Sequence, residues 1–243
     1  MLFGLFFGDW TILILIPAMI FAFVAQFKVK STFDKCDKVR SARGMTGAEV
    51  ARKILDMNGL SHVRVEHVRG ELTDHYDPRT NVVRLSESTY YSNSVAAIGV
   101  AAHEVGHAVQ HATGYAPIKL RTAIIPMTRI GSGLAMPLFM IGLLLSYLSY
   151  GSLFGDYFMF AGIILFSFST LFQLVTLPVE FNASHRALKT LENNGILVGS
   201  DLSGARNVLS AAAMTYVAAL ATSLAYLLRF IIIAMGASGR RRD

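Results

Sequence analysis

The sequence has little charge and almost no cysteine for its length. Asp, Glu, Lys and Arg make up 16% of its 243 residues, whereas a soluble globular domain carries about 25%. This deficit argues against a freely soluble enzyme and, together with 53% hydrophobic residues, against a disordered chain. The single cysteine, Cys36, excludes an internal disulfide framework. The class of protein therefore depends on where the apolar residues lie along the chain.

Charged residues are nearly absent from four blocks, each close to the length that crosses a hydrocarbon core of about 30 Å. The blocks predict transmembrane helices at residues 1–27, 128–148, 157–179 and 207–235. A chain of this length cannot bury four such helices in a soluble shell. Lysines follow Phe27 directly, and no small-residue cleavage pattern lies at this position. Both observations favour a first transmembrane helix that is retained over a signal peptide that is cleaved. Arg229 interrupts the last block, and we expect it to extend towards the membrane surface.

The net charge of +6 is explained by topology without nucleic-acid binding. Six Lys and Arg residues lie between residues 28 and 43, and three more lie between 180 and 206. The positive-inside rule therefore predicts that 28–127 and 180–206 face the cytoplasm in a multi-pass protein of the cytoplasmic membrane. The arginines at 240–242 do not fit this rule, because four spans place them on the side of the membrane opposite to the cytoplasm.

Segment 28–127 has a mixed pattern, so we predict a mainly α-helical membrane protein that also contains a small β-hairpin or sheet. A capping box at Thr46–Glu49 predicts a helix that ends near Asn58–Gly59. Strands are expected at His62–Val68 and Asn81–Leu85, with a loop at 73–80 between them. Asn81–Leu85 is either an edge strand that pairs with a substrate backbone or an ordinary hairpin strand.

A helix predicted at about 94–113 contains the sequence His103-Glu104-Val105-Gly106-His107. Histidines at i and i+4 share one helix face, so both imidazoles can bind one Zn²⁺. Glu104 can then accept a proton from a metal-activated water that attacks a carbonyl. The alternative is a pair of surface histidines beside a salt-bridging glutamate.

A catalytic zinc needs a third protein ligand. His111 lies on the same helix face as His103 and His107, but it is eight residues after His103 and therefore about 12 Å further along the helix axis. This distance is too large for His111 to bind the same metal ion. We therefore expect His111 at a surface or supporting position. Glu180 is the better candidate, because Pro178 suits the first turn of a new helix and Glu180 would lie in that turn. We expect segment 180–206 to be a cytoplasmic helix that carries this third ligand. From the residues alone, Glu180 is either a ligand or a helix-start acid that interacts with the helix dipole.

Three segments, at 74–79, 101–111 and 177–184, resemble the neutral zinc metallopeptidases of bacterial membranes, the YugP-like group. The resemblance covers nearly the whole chain, including the order of spans and soluble segments. It implies a zincin-like protease with His103 and His107 as ligands and Glu104 as catalytic base. Its relation to the gluzincins implies Glu180 as the third ligand. Several gluzincins have an Asp four residues later that orients a zinc-bound His, where this chain has Ser184.

The expected function is a zinc-dependent endopeptidase with one Zn²⁺ per chain, acting on membrane-proximal or misfolded proteins. The alternative is a non-catalytic, zinc-containing scaffold in the membrane. The oxyanion donor is left open among His185, Tyr216 and His75. The expected partners are protein or peptide substrates near the membrane and the lipid bilayer; the oligomeric state is not determined.

Overall fold

The computed structural model describes residues 10–148 and 153–239, and its architecture is mainly helical. Four helices are long and apolar enough to cross a membrane by length and composition. They are α1 (Leu15–Asp37, after a 3-10 turn at Trp10–Ile14), α5 (Ala116–Leu148), α6 (Leu153–Asn193) and α7 (Gly199–Gly239). The predicted helical fold with four candidate spans is thus confirmed. Residues 1–9 of the first predicted span and the arginines at 240–242 lie outside the described residues.

The remaining elements are short and lie between α1 and α5. They are α2 (Gly47–Met57), β1 (Arg64–Val68), β2 (His75–Asp77), β3 (Val82–Ser86), α3 (Glu87–Tyr90) and α4 (Val95–Ala112). The chain divides into two compact units. The sheet unit comprises residues 25–119 and 177–215, and the apolar unit comprises the described residues of 1–24, 120–176 and 216–243.

Helix α2 begins and ends where its local sequence predicts. The Thr46 hydroxyl accepts the Glu49 N–H, and the Glu49 carboxylate accepts the Thr46 N–H at 2.8 Å. At the other end Gly59 has φ of +70°, a conformation that costs glycine little. The apolar face of α2, led by Val50 and Leu55, is fully buried in the core of the sheet unit.

The sheet has three strands in the order β1–β3–β2, with β1 parallel and β2 antiparallel to β3. The small predicted sheet is confirmed, but the loop prediction is wrong at residues 75–77, where β2 lies. A three-residue strand carries too little alternation to be recognised in a sequence. The Asp77 carboxylate helps to hold β2, because it accepts hydrogen bonds from Thr80 and Arg84.

The possibility that Asn81–Leu85 forms an edge strand is wrong. Strand β3 is paired on both sides, and its residues Val82, Val83 and Leu85 are fully buried. Strand β2 lies at one edge of the sheet and β1 at the other. The apolar character of β3 therefore reflects a central position.

The apolar unit is held together by aromatic packing and by close approach of helix backbones. The rings of Phe139 and Phe230 stack with centroids 4.5 Å apart. A Cβ atom added at Gly142 of α5 would lie only 2.5 Å from the Met159 backbone nitrogen and 2.6 Å from the Gly155 carbonyl oxygen of α6. Small residues allow this approach, as is common where membrane helices meet.

Arg229 does not extend towards a membrane surface as predicted. Its side chain is 1% exposed, and its Nε donates a hydrogen bond to the Thr11 hydroxyl at 3.1 Å. The hydrogen bond requires a residue far away in the sequence, so the local pattern around Arg229 could not reveal it. A buried, hydrogen-bonded arginine thus links α7 to the 3-10 turn at Trp10–Ile14.

We expect Gly142→Ala to destabilise the protein by about 1–3 kcal/mol, because the added methyl group overlaps the backbone of α6. Gly133 on the same helix is the matched control, since a Cβ atom there meets nothing within 4 Å among the described residues. Gly133→Ala should be neutral or slightly stabilising. Thermal unfolding of both variants in detergent checks this, and equal shifts in Tm would contradict the packing explanation.

Candidate metal centre

Helix α4 is positioned by its first residues and by its small side chains. Ser94 caps the helix by accepting the Ala97 N–H, and its hydroxyl donates to the Asp37 carboxylate at 2.6 Å. A Cβ atom added at Gly106 would lie 2.8 Å from the Ala183 carbonyl oxygen of α6. The backbones of α4 and α6 are therefore in contact at this point.

This crossing brings the three predicted ligands together. The carboxylate of Glu180, which is 3% exposed, lies 3.3 Å from Nε2 of His103 and 3.5 Å from Nε2 of His107. One ligand atom from each of the three residues lies within 4.8 Å of the others. Two imidazoles and one carboxylate thus converge on one point in the sheet unit.

Glu180 reaches this point from the interior of a helix. Helix α6 runs without a break through Pro178 to Asn193, so the prediction that a new helix begins at Pro178 is wrong. Membrane proteins tolerate proline inside long helices because neighbouring groups bond to the freed backbone. Pro178 lacks the N–H that would bond the Leu174 carbonyl. Beside it, the Tyr115 hydroxyl donates to the Pro178 carbonyl, and the Gln110 amide donates to the Val179 carbonyl. Since Glu180 is far from a helix start, the helix-dipole alternative is excluded.

Gln110 orients the imidazole of His107. The Gln110 amide nitrogen donates to the Val179 carbonyl at 2.7 Å and to the Asn182 side-chain oxygen at 3.0 Å. The amide oxygen must then face Nδ1 of His107, 3.0 Å away. Nδ1 therefore carries the proton, and the lone pair of Nε2 points towards Glu180, as metal-bound histidines require.

Ser184 occupies the corresponding position beside His103. Its hydroxyl lies 3.1 Å from Nδ1 of His103 and four residues after Glu180 in the sequence. A neutral hydroxyl, and not a carboxylate, therefore contacts Nδ1 of this imidazole.

The donor set fits zinc. Two imidazole nitrogens and one carboxylate oxygen are a common set for catalytic zinc sites, which keep a fourth position open. Burial lowers the pKa of His107, but the hydrogen bond to Glu180 and the charges of Glu104 and Glu180 outweigh it and raise that pKa above its ordinary value. The same carboxylates that favour a proton on His107 favour a divalent cation.

Glu104 stands beside this cluster without joining it. It is only 9% exposed, and it makes no hydrogen bond or salt bridge with any described residue. Its charge acts on His107. A buried carboxylate with no protein partner is available to exchange a proton with a water or a substrate.

The other predicted candidates lie outside the group of three. His111 is exposed and contacts the ring of Tyr76. His75 is exposed, and its Nδ1 lies 2.8 Å from the Thr73 carbonyl oxygen. His185 is an exposed residue of α6, and Tyr216 belongs to the apolar unit. The choice of an oxyanion donor among His75, His185 and Tyr216 stays a prediction.

Two residues of the hydrogen-bond network around the ligands were missed in the sequence. Gln110 follows His107 by three residues on the same helix, so its spacing was a usable signal. Asn182 gave no such signal, because its contact with Gln110 spans 72 residues of sequence.

Comparisons with known proteins find a matching family and a similar protein. A family model described as "Putative neutral zinc metallopeptidase" matches residues 11–235. A protein of Bacillus subtilis (strain 168) named "Putative membrane protease YugP" is 53% identical over 222 residues, which are 91% of this chain and 95% of that protein. No solved structure matches the chain. Both matches confirm the resemblance inferred from the three sequence segments.

We expect Gln110→Leu to weaken zinc binding by about 10- to 100-fold, because His107 loses the partner that orients its ring. Glu180→Ala should abolish stoichiometric zinc binding. Thr113→Val, at the C-cap of α4, is the control, since among the described residues the Thr113 hydroxyl bonds only to the Val109 and Gln110 carbonyls of that helix. Metal content and chelator competition on purified protein measure these effects. Wild-type affinity in Gln110→Leu would contradict the orienting role.

Proposed function

The chain belongs to the neutral zinc metallopeptidase family, and we propose that it is a zinc-dependent endopeptidase of the cytoplasmic membrane. The observation that carries the proposal is the convergence of His103, His107 and Glu180 beside the buried carboxylate of Glu104, which forms no hydrogen bond or salt bridge with the described residues. A structural zinc site is usually closed by four protein ligands. Three ligands with an adjacent free carboxylate favour catalysis, with one Zn²⁺ per chain.

Each residue then has a distinct role in hydrolysis. Bound zinc supplies a Lewis acid that polarises the scissile carbonyl and acidifies water. Glu104 takes a proton from the attacking water as the hydroxyl adds to the carbonyl carbon. Glu104 then returns that proton to the leaving amine as the C–N bond breaks. Gln110 and Ser184 keep the two imidazoles oriented throughout.

Strand β2 is where we place the substrate backbone. It is an edge strand, and Tyr76 at its centre lies beside His111 of α4, with ring centroids 6.1 Å apart. An extended peptide can pair with the free edge of a sheet through main-chain hydrogen bonds. Pairing along β2 would hold the peptide next to the helix that carries His103, Glu104 and His107.

We also propose that the site faces the cytoplasm and acts on membrane-proximal or misfolded proteins. The basic residues of 28–43 and 180–206 support this orientation under the positive-inside rule. Glu180 lies on α6, which is itself a candidate span, so ligand and span belong to one continuous helix. Substrates held at the bilayer are therefore favoured over freely diffusing chains.

Glu104→Gln should lower kcat/KM by about 10²–10⁴-fold while zinc content is unchanged, because the amide cannot accept the proton. Cleavage of a membrane-anchored reporter with an unstructured juxtamembrane segment, in detergent and in vesicles, measures this. Glu71→Gln is the control, since Glu71 is exposed in the loop before β2. Full cleavage by Glu104→Gln would overturn the mechanism. Zinc binding without any Glu104-dependent cleavage would instead favour the non-catalytic scaffold.

The orientation is tested with single cysteines in a Cys36→Ser background. Ser61→Cys, at an exposed position of the sheet unit, should react with a membrane-impermeant maleimide only after the cells are permeabilised. Gly151→Cys, between the second and third predicted spans, should react in intact cells. The reverse pattern would contradict a cytoplasmic site.

A further inference from the structure

A cavity lies in the sheet unit beside α4, on a different face of that helix from the metal centre. It has a volume of about 320 Å³ and is bounded by α2, α4 and α6. Its α4 wall is formed by Ala102, Gly106 and Val109. With 3.6 residues per turn, these lie on one side of the His103–His107 line and Glu104 lies on the other. None of the predicted ligands lines this cavity, so it is separate from the metal centre.

The polar wall of this cavity is basic. It is formed by Asn58, Asn182, His185, Arg186, Lys189 and Thr190. No acidic residue lines it, and no described carboxylate lies within salt-bridge distance of His185, Arg186 or Lys189. Arg186 uses its Nε to bond Asn182 at 2.8 Å, which leaves four further guanidinium N–H groups. Cationic side chains thus donate into a cavity whose lining includes no Asp or Glu. Such a lining predicts an anionic ligand.

A phosphate group matches these donors better than a single carboxylate does. Its tetrahedral oxygens can accept from a guanidinium, an ammonium and side-chain amides at the same time. The volume is at the lower end of the range for small-molecule sites, enough for a phosphate with part of a headgroup. Because α6 is a candidate span, membrane phospholipid is one available source, and free phosphate is the other.

The cavity is connected to the metal centre by hydrogen bonds. Asn182 Oδ1 accepts both from Arg186 Nε and from the Gln110 amide at 3.0 Å. The Gln110 oxygen in turn faces Nδ1 of His107. An anion that fixes Arg186 would therefore fix the amide that orients His107.

We propose that this cavity binds a phosphate-bearing anion and that the bound anion tightens zinc binding through Arg186, Asn182 and Gln110. The anion site does not depend on the proposed peptidase activity. The coupling depends only on zinc being bound by His107. By linkage, zinc must tighten anion binding by the same factor.

Anion binding is measured by calorimetry on metal-free protein in a non-ionic detergent. The probes are inorganic phosphate and the short-chain lipid dihexanoyl phosphatidylglycerol. We expect one site per chain, weakened about tenfold or more by Lys189→Gln and by Arg186→Gln. Lys189 is exposed and makes no side-chain hydrogen bond with the described residues, so its replacement should leave folding intact. Binding of the lipid alone identifies a headgroup site, and binding of both probes identifies a site for the phosphate group itself.

Arg206→Gln is the matched control. His185 and Lys189 also line a neighbouring cavity, whose wall includes Arg206 and Glu192. Removal of the Arg206 charge should change the anion Kd less than twofold. If neither probe binds, or if Arg206→Gln and Lys189→Gln weaken binding equally, the assignment of the site is overturned.

The coupling is measured by chelator competition with and without saturating anion. We expect zinc affinity to rise about fivefold or more in wild type and not to change in Arg186→Gln. An equal rise in both proteins, or no rise in wild type, would overturn the connection through Arg186. Glu104→Gln protein gives the same readout without peptidase activity, so the failure of this proposal is distinguishable from the failure of the proposed function.

Discussion

The close contact between α4 and α6 at Gly106 and Ala183 is the constraint on which the metal centre depends. Any side chain at position 106 would collide with the Ala183 carbonyl and push the two helices apart. Zinc ligands must lie about 2 Å from the metal, so a displacement of even 1 Å would separate Glu180 from the two imidazoles. The glycine inside the motif is therefore a requirement for helix packing, in addition to any effect on the helix itself.

The contact also explains why the polar groups of the centre can be buried. An unsatisfied buried amide costs about 1–3 kcal/mol, yet Gln110 is fully buried. Its amide is accommodated because α6 presents the Val179 carbonyl and the Asn182 side chain at bonding distance. The same contact between α4 and α6 therefore packs the helices and orients the His107 imidazole. Asn182, which bonds to Gln110, also lines the basic cavity.

Some features were determined locally, and they were predicted well. The capping box of α2, the four uncharged blocks and the spacing of His103 and His107 each depend on residues within a few turns of one another. Three features were not predicted correctly. Strand β2 was predicted to be a loop, β3 was considered as an edge strand, and Arg229 was expected at the membrane surface. Each depends on a partner that local periodicity does not reveal, because β2 and β3 depend on strand pairing and Arg229 depends on Thr11.

The sequence by itself determined that the chain is an apolar, multi-helix protein with a two-histidine metal motif, because helix periodicity and hydrophobic length are local properties. The sequence suggested Glu180 as the third ligand but did not show where its side chain lies relative to the two histidines. Only the tertiary structure brought Glu180 to the histidines, Ser184 to His103 across 81 residues, and Gln110 to Asn182. These contacts exist because two helices distant in sequence approach closely enough for short side chains to meet, and local sequence patterns carry no information about that distance.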